Sequence, residues 1–99
     1  MSYSVKLAAK AREDIKRLYA YMLERDTQAA VRAYDAIERA MTALADFPFS
    51  CRRASEGNPF LRELVISFGS TGYVALFEID NSETITILAV RHQREDDYH

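Results

Sequence analysis

Residues Ser2 to Leu7 alternate, with Tyr3, Val5 and Leu7 on one side and Ser2, Ser4 and Lys6 on the other. A period of two predicts a short, half-buried strand. From Ala9 to Arg25 the period lengthens. Ile15, Leu18, Tyr19 and Met22 recur at helical spacing, and Glu13, Asp14, Lys16, Arg17 and Glu24 fall on the other faces. That is an amphipathic helix with one apolar stripe. Asp26-Thr27 interrupts it with side chains suited to accept from the first N–H groups of a new helix. A second helical pattern runs from about Gln28 to Asp46 on Ala30, Tyr34, Ile37, Met41 and Leu44, and Pro48 stops it.

Two helices joined by so short a break run antiparallel, and their stripes need a further surface to cover. The second half of the chain supplies one. After a polar loop from Phe49 to Pro59, the segments Leu61–Phe68, Tyr73–Ile79 and Thr84–Val90 read as strands, with turns at Gly69–Gly72 and Asp80–Glu83. Short turns imply an antiparallel meander. The last strand is nearly all apolar and is expected to be central. The expected fold is α+β, in the order β-α-α-β-β-β, with an N-terminal helical hairpin packed on a small antiparallel sheet. With 99 residues, a single domain spanning 1–99 is expected.

Composition narrows the class. Hydrophobic residues make up 48% and charged residues 28%, which describes an ordinary globular protein and excludes a disordered one. The longest apolar stretch, Leu64 to Phe77, is interrupted by Ser67, Gly69, Ser70, Thr71 and Gly72, so no membrane span is expected. No secretory leader is evident at Met1–Leu7. The lone Cys51 excludes an internal disulfide, and a reducing cytoplasm is the expected location. Residues 8–46 carry seven basic and seven acidic residues, while 47–99 carry five arginines against eight acids. With a net charge of −2, direct sequence-specific DNA binding is not expected.

Three local motifs go further: Leu61-Arg62-Glu63, Tyr73-Val-Ala-Leu-Phe77 after a glycine-containing turn, and Ile87-Leu-Ala-Val-Arg-His-Gln-Arg94. With Glu13-Asp14-Ile15 in an Ala-rich first helix and the break before Pro48, the whole chain resembles the RelE/ParE superfamily of bacterial toxins. It is most similar to the ParE branch, often labelled plasmid stabilisation proteins. The resemblance implies the toxin of a type II toxin–antitoxin pair, neutralised by a cognate antitoxin that folds around it. ParE-type toxins inhibit DNA gyrase. RelE-type toxins are ribosome-dependent mRNA interferases, and that is the alternative function. A homodimer and a toxin–antitoxin heterotetramer are both compatible with the resemblance.

Cutting RNA requires a base for the 2′-OH, cations on the scissile phosphate and an acid for the leaving oxygen. RelE-like chains draw lysines and arginines from the middle strands. Here the lysines are Lys6, Lys10 and Lys16, all outside the sheet half, and Gly69 stands where some relatives place an arginine. A nuclease would have to use Arg62, His92, Arg94 and Tyr98. The missing clamp favours gyrase, with Arg62, Arg91, His92 and Arg94 as target contacts and Tyr19, Met22, Tyr34 and Met41 as the antitoxin surface.

Blander roles stand beside these. Arg62 lies on the strand face of Leu64 and Ile66 and is as suited to a carboxylate partner at the core edge. His92 closes an apolar strand, as hydrogen-bonded structural histidines do. Arg91 and Arg94 suit a solvated face, and Tyr98 sits in a terminal segment. Cys51, in a loop with two neighbouring arginines, Arg52 and Arg53, is a candidate for a lowered pKa but has no evident base. No metal or other cofactor is expected, because the spacing of His92 and His99 matches no ligand pattern. A plain oligomeric scaffold remains an alternative class, and it would be harmless when expressed alone.

Overall fold

In a computed structural model that describes Ser2–Tyr98, the alternating N-terminal segment forms strand β1 (Ser4–Leu7), followed by helices α1 (Ala9–Leu23) and α2 (Thr27–Leu44). A 3-10 turn at Pro48–Ser50 and a two-residue strand β2 (Arg52–Arg53) occupy the expected loop. Then come β3 (Leu61–Phe68), β4 (Thr71–Ile79) and β5 (Thr84–His92). Asp26 caps α2, its carboxylate accepting from the Ala29 N–H at 3.1 Å. That bond explains why the break falls where the sequence places it.

The five strands lie in the order β1-β5-β4-β3-β2. The meander β3-β4-β5 is antiparallel, as expected, whereas β1 adds to β5 in parallel and makes the sheet mixed. Alternation alone identifies a strand but not its neighbour. The two helices carry the chain back over the sheet, and the free edge of β5 takes up β1. The apolar β5 is therefore interior, flanked on both edges.

The β3–β4 turn is tighter than the expected four residues. Phe68 pairs with Thr71 across Gly69-Ser70 alone. Gly69 has φ of 61° and Ser70 has no positive φ, the arrangement of a type II′ turn. Gly72 then belongs to β4 and is needed for space, since a Cβ there would stand 2.0 Å from the Ile66 carbonyl oxygen.

The core lies between the hairpin and one sheet face. Ala11, Ala30 and Ala33 are buried on the helices, and small side chains allow close approach. Ile15, Leu18, Ile37 and Leu44 meet Ile66, Tyr73, Ala75, Phe77, Ile85, Ile87 and Val90. One residue departs from the helical pattern. Asp14, expected on a polar face, is only 4% exposed. Its Oδ2 accepts from the Val90 N–H at 2.9 Å and its carboxylate pairs with Lys10 Nζ at 2.8 Å. The register of β4 on β5 shifts between Leu76 and Phe77, which pair with Ala89 and Ile87. Just past that bulge, Asp14 ties α1 to β5. A buried backbone donor needs an acceptor, and a helix carboxylate one turn from Leu18 supplies it.

Candidate functional site

Alternation along β5 sends Arg91 to the helix-free side of the sheet and His92 to the helix side, so adjacent residues enter different clusters. On the helix side, the end of β5 and the last turns of α1 enclose an open cleft of about 500 Å³. Its walls are Arg17, Leu18, Tyr21 and Met22 from the helix, Tyr73 from β4, and His92, Arg94 and Glu95 from the end of β5 and beyond. The His92 ring packs edge-on to Tyr73 at 5.5 Å between centroids. Its Nδ1 accepts from the Arg94 N–H at 3.1 Å, which leaves the other ring nitrogen to carry the proton in the neutral form. Burial pushes the His92 pKa down and the Arg94 charge pushes the same way, with Glu95 opposing them. The Glu95 carboxylate accepts from the His92 N–H at 2.9 Å and pairs with Arg17 at 3.3 Å.

On the helix-free side, the chain beyond β5 folds back. Arg91 donates to the Glu95 carbonyl at 2.7 Å and its guanidinium stands 5.2 Å from the Tyr98 ring centroid. The Tyr98 hydroxyl donates to Glu63 Oε2 at 2.6 Å, while Arg52 donates to Glu63 Oε1 at 3.0 Å. Burial raises the Tyr98 pKa, and the hydrogen bond and charge of Glu63 raise it further. Both carboxylate oxygens of Glu63 are thus occupied from within the chain.

Arg62 belongs to neither cluster. It donates to the carbonyls of Pro59 at 2.7 Å, Phe49 at 3.1 Å and Cys51 at 2.9 Å, fastening the 3-10 turn to the start of β3. The partners are carbonyls, not the carboxylate that alternation suggested. In register Arg62 faces Phe77 while Arg91 faces Val74, so the two arginines stand about 10 Å apart along the strand and on opposite faces. Cys51 also departs from expectation. Burial raises its thiol pKa, and Arg62 only partly offsets this, so the neighbouring charge does not make a reactive thiolate.

Of the four residues expected to meet an antitoxin, three come together. Tyr19 and Tyr34 stack edge-on at 5.7 Å across the helical hairpin, and with Met22 they rim a narrow groove whose floor is buried core. Tyr34 is 40% exposed. Met41 lies elsewhere, in a depression with Tyr3 and with Val5 and Leu7 of β1. Among the described residues no group of three His, Cys, Asp or Glu side chains is placed to hold a metal ion, and His99 lies outside them. No helix among them is long and apolar enough to cross a membrane.

Sequence reasoning missed Arg17, Tyr21, Glu63 and Arg52. Leu18, Tyr21 and Met22 share a helix edge at i, i+3 and i+4, a signal present in the sequence. Nothing local shows that Glu63 meets residue 98.

A family model described as the ParE toxin of the type II toxin-antitoxin system, parDE, matches residues 5–97. The chain belongs to this toxin family. The toxin is 36% identical to Toxin RelE3 of Caulobacter vibrioides over 92 residues, covering 93% of this chain and 96% of the relative. It is 32% identical to Toxin RelE1 of the same organism over 79 residues, covering 80% and 82%. A solved structure titled "Chromosomal ParDE TA system from P. aeruginosa" shares the fold, with a TM-score of 0.72 over 94% of this chain and 96% of that one at 24% identity. The toxin is therefore one half of a type II toxin–antitoxin pair, and membership implies a cognate antitoxin as its partner.

Proposed function

We propose that the toxin acts in the cytoplasm on DNA gyrase and does not cut messenger RNA. The observation that carries this reading is the internal engagement of the groups a ribonuclease would need. Arg62 is committed to three backbone carbonyls. Tyr98 donates to Glu63, whose second oxygen is held by Arg52. His92 and Arg94 stand on the other side of the sheet from that pair. A site lacking two phosphate donors would lose roughly 2.7–4 kcal/mol of transition-state stabilisation for each. Arg94 and His92 supply the gyrase contacts in this scheme, while Arg62 and Arg91 hold the frame around them. The antitoxin docks on the groove of Tyr19, Met22 and Tyr34.

Induced expression in a bacterial host, with and without the antitoxin, tests the proposal. Filamentation and an SOS response are expected, with messages intact by primer extension and arrest prevented by the antitoxin. Discrete cuts in translated messages before growth stops would overturn gyrase in favour of the ribosome. Harmless expression would overturn both.

A further inference from the structure

The surface around Tyr19 and Tyr34 adjoins the cleft at the end of β5. Met22 borders both, with Leu18 and Tyr73 buried beneath it, so a segment lying across Tyr19 and Tyr34 meets the cleft at its end. The cleft differs from the groove in charge. Arg17 and Arg94 stand in its wall, and Glu95 is the only carboxylate among its lining residues. Glu95 shows what the wall binds: its carboxylate accepts from the His92 N–H at 2.9 Å and from Arg17 at 3.3 to 3.5 Å. The contacts to Arg17 are long for a charge-assisted bond. Among the described residues the Arg94 guanidinium makes no hydrogen bond or ion pair, its link to His92 running through the backbone N–H.

We propose that the cleft is a carboxylate site for the cognate antitoxin, which seats an Asp or Glu side chain against Arg94 and Arg17. Apolar neighbours of that acid lie on Met22, above Leu18 and Tyr73. The incoming carboxylate draws Arg17 from Glu95, which keeps the His92 N–H, and Arg94 brings a second positive charge to the site. Occupation also covers His92 and Arg94, so neutralisation is direct occlusion of the surface assigned to the target. The inference rests on the antitoxin docking in the adjoining groove, and it does not depend on which target the toxin attacks.

Binding of the purified cognate antitoxin to the full-length toxin tests it, at low and high salt. Arg94→Glu is expected to weaken binding about tenfold or more at low salt and less at high salt. One antitoxin variant with Lys in place of an acid is expected to restore it. Glu95→Gln, which keeps an acceptor for the His92 N–H and removes the competing charge, is expected to bind more tightly than wild type. Tyr34→Ala reports the groove alone. Loss in Arg94→Glu supports the carboxylate site even where Tyr34→Ala binds normally, an outcome that removes only the groove. Wild-type affinity in Arg94→Glu overturns the site, and a loss confined to Tyr34→Ala then leaves only the groove. If Arg94→Glu melts early, Arg94→Ala with normal melting serves the same decision.

Discussion

Arg62 and Arg94 are the same residue type at opposite ends of one sheet, and the molecule uses them in opposite ways. At the loop end, Arg62 bonds three backbone carbonyls and lies 5.3 Å from the Phe49 ring centroid. At the cleft end, the Arg94 side chain is exposed beside an apolar wall. The first holds a turn that has little regular structure of its own. The second adds nothing to the fold that the described contacts reveal, and it is available to a partner. A charge is informative about function only once its partners are known.

The largest expected effect lies with a charge tied more tightly than Arg62. Asp14→Ala leaves the buried Val90 N–H without its acceptor and Lys10 without its partner. It should cost about 3 kcal/mol, from an unsatisfied buried donor plus a lost charged hydrogen bond. Urea unfolding with an unchanged m value checks it, and a cost under about 1 kcal/mol would mean that β5 is held by packing alone.

Arg62→Ala comes next, at about 2 kcal/mol, because its carbonyl partners can turn partly to water. Hydrogen exchange should quicken at Phe47–Cys51 while β4 and β5 remain protected. Normal folding with lost toxicity in this variant would instead place Arg62 beside Arg94 as a contact residue.

A smaller effect depends on pH. The unfolded histidine titrates near its ordinary value of 6.5, and His92 in the folded chain titrates below it because of burial and Arg94. The unfolded state therefore takes up the proton first. Stability is full above that value and is lost as pH falls through it toward the folded pKa. Protonation at Nδ1 would also end its role as acceptor for the Arg94 N–H. The melting temperature should fall between neutral pH and about pH 5, and His92→Gln should flatten part of that slope. An identical slope in the variant would show that His92 titrates normally.

Arg94→Ala should change stability least, within about 0.5 kcal/mol of wild type. The same variant should lose growth arrest. A clear fall in melting temperature would make Arg94 a structural residue like Arg62.

Much of the fold was legible because hydrophobic period depends only on local order. The spacing of Ile15, Leu18 and Met22, the cap at Asp26 and the span Leu61–Phe68 all match the elements observed. The site was legible only in parts. His92 and Arg94 share a cleft, but the equally prominent Arg62 and Arg91 belong elsewhere, and Tyr19, Met22 and Tyr34 share a groove that Met41 does not. Residue type shows what a side chain can do but not which neighbours reach it.

Local pattern was enough for two helices, the antiparallel meander and, through the motifs, the toxin superfamily. These follow from periodicity, capping and turn chemistry, which act over a few residues. Long-range packing set the rest: β1 joins β5 in parallel, Asp14 is buried, and Glu63 receives Tyr98 from 35 residues away. It also separated Arg91 from His92 onto opposite faces and set the groove beside the cleft at Met22. The physical reason is that such pairings follow from packing the hairpin on the sheet. Burial and hydrogen-bond satisfaction between distant segments choose among partners that local pattern leaves equivalent.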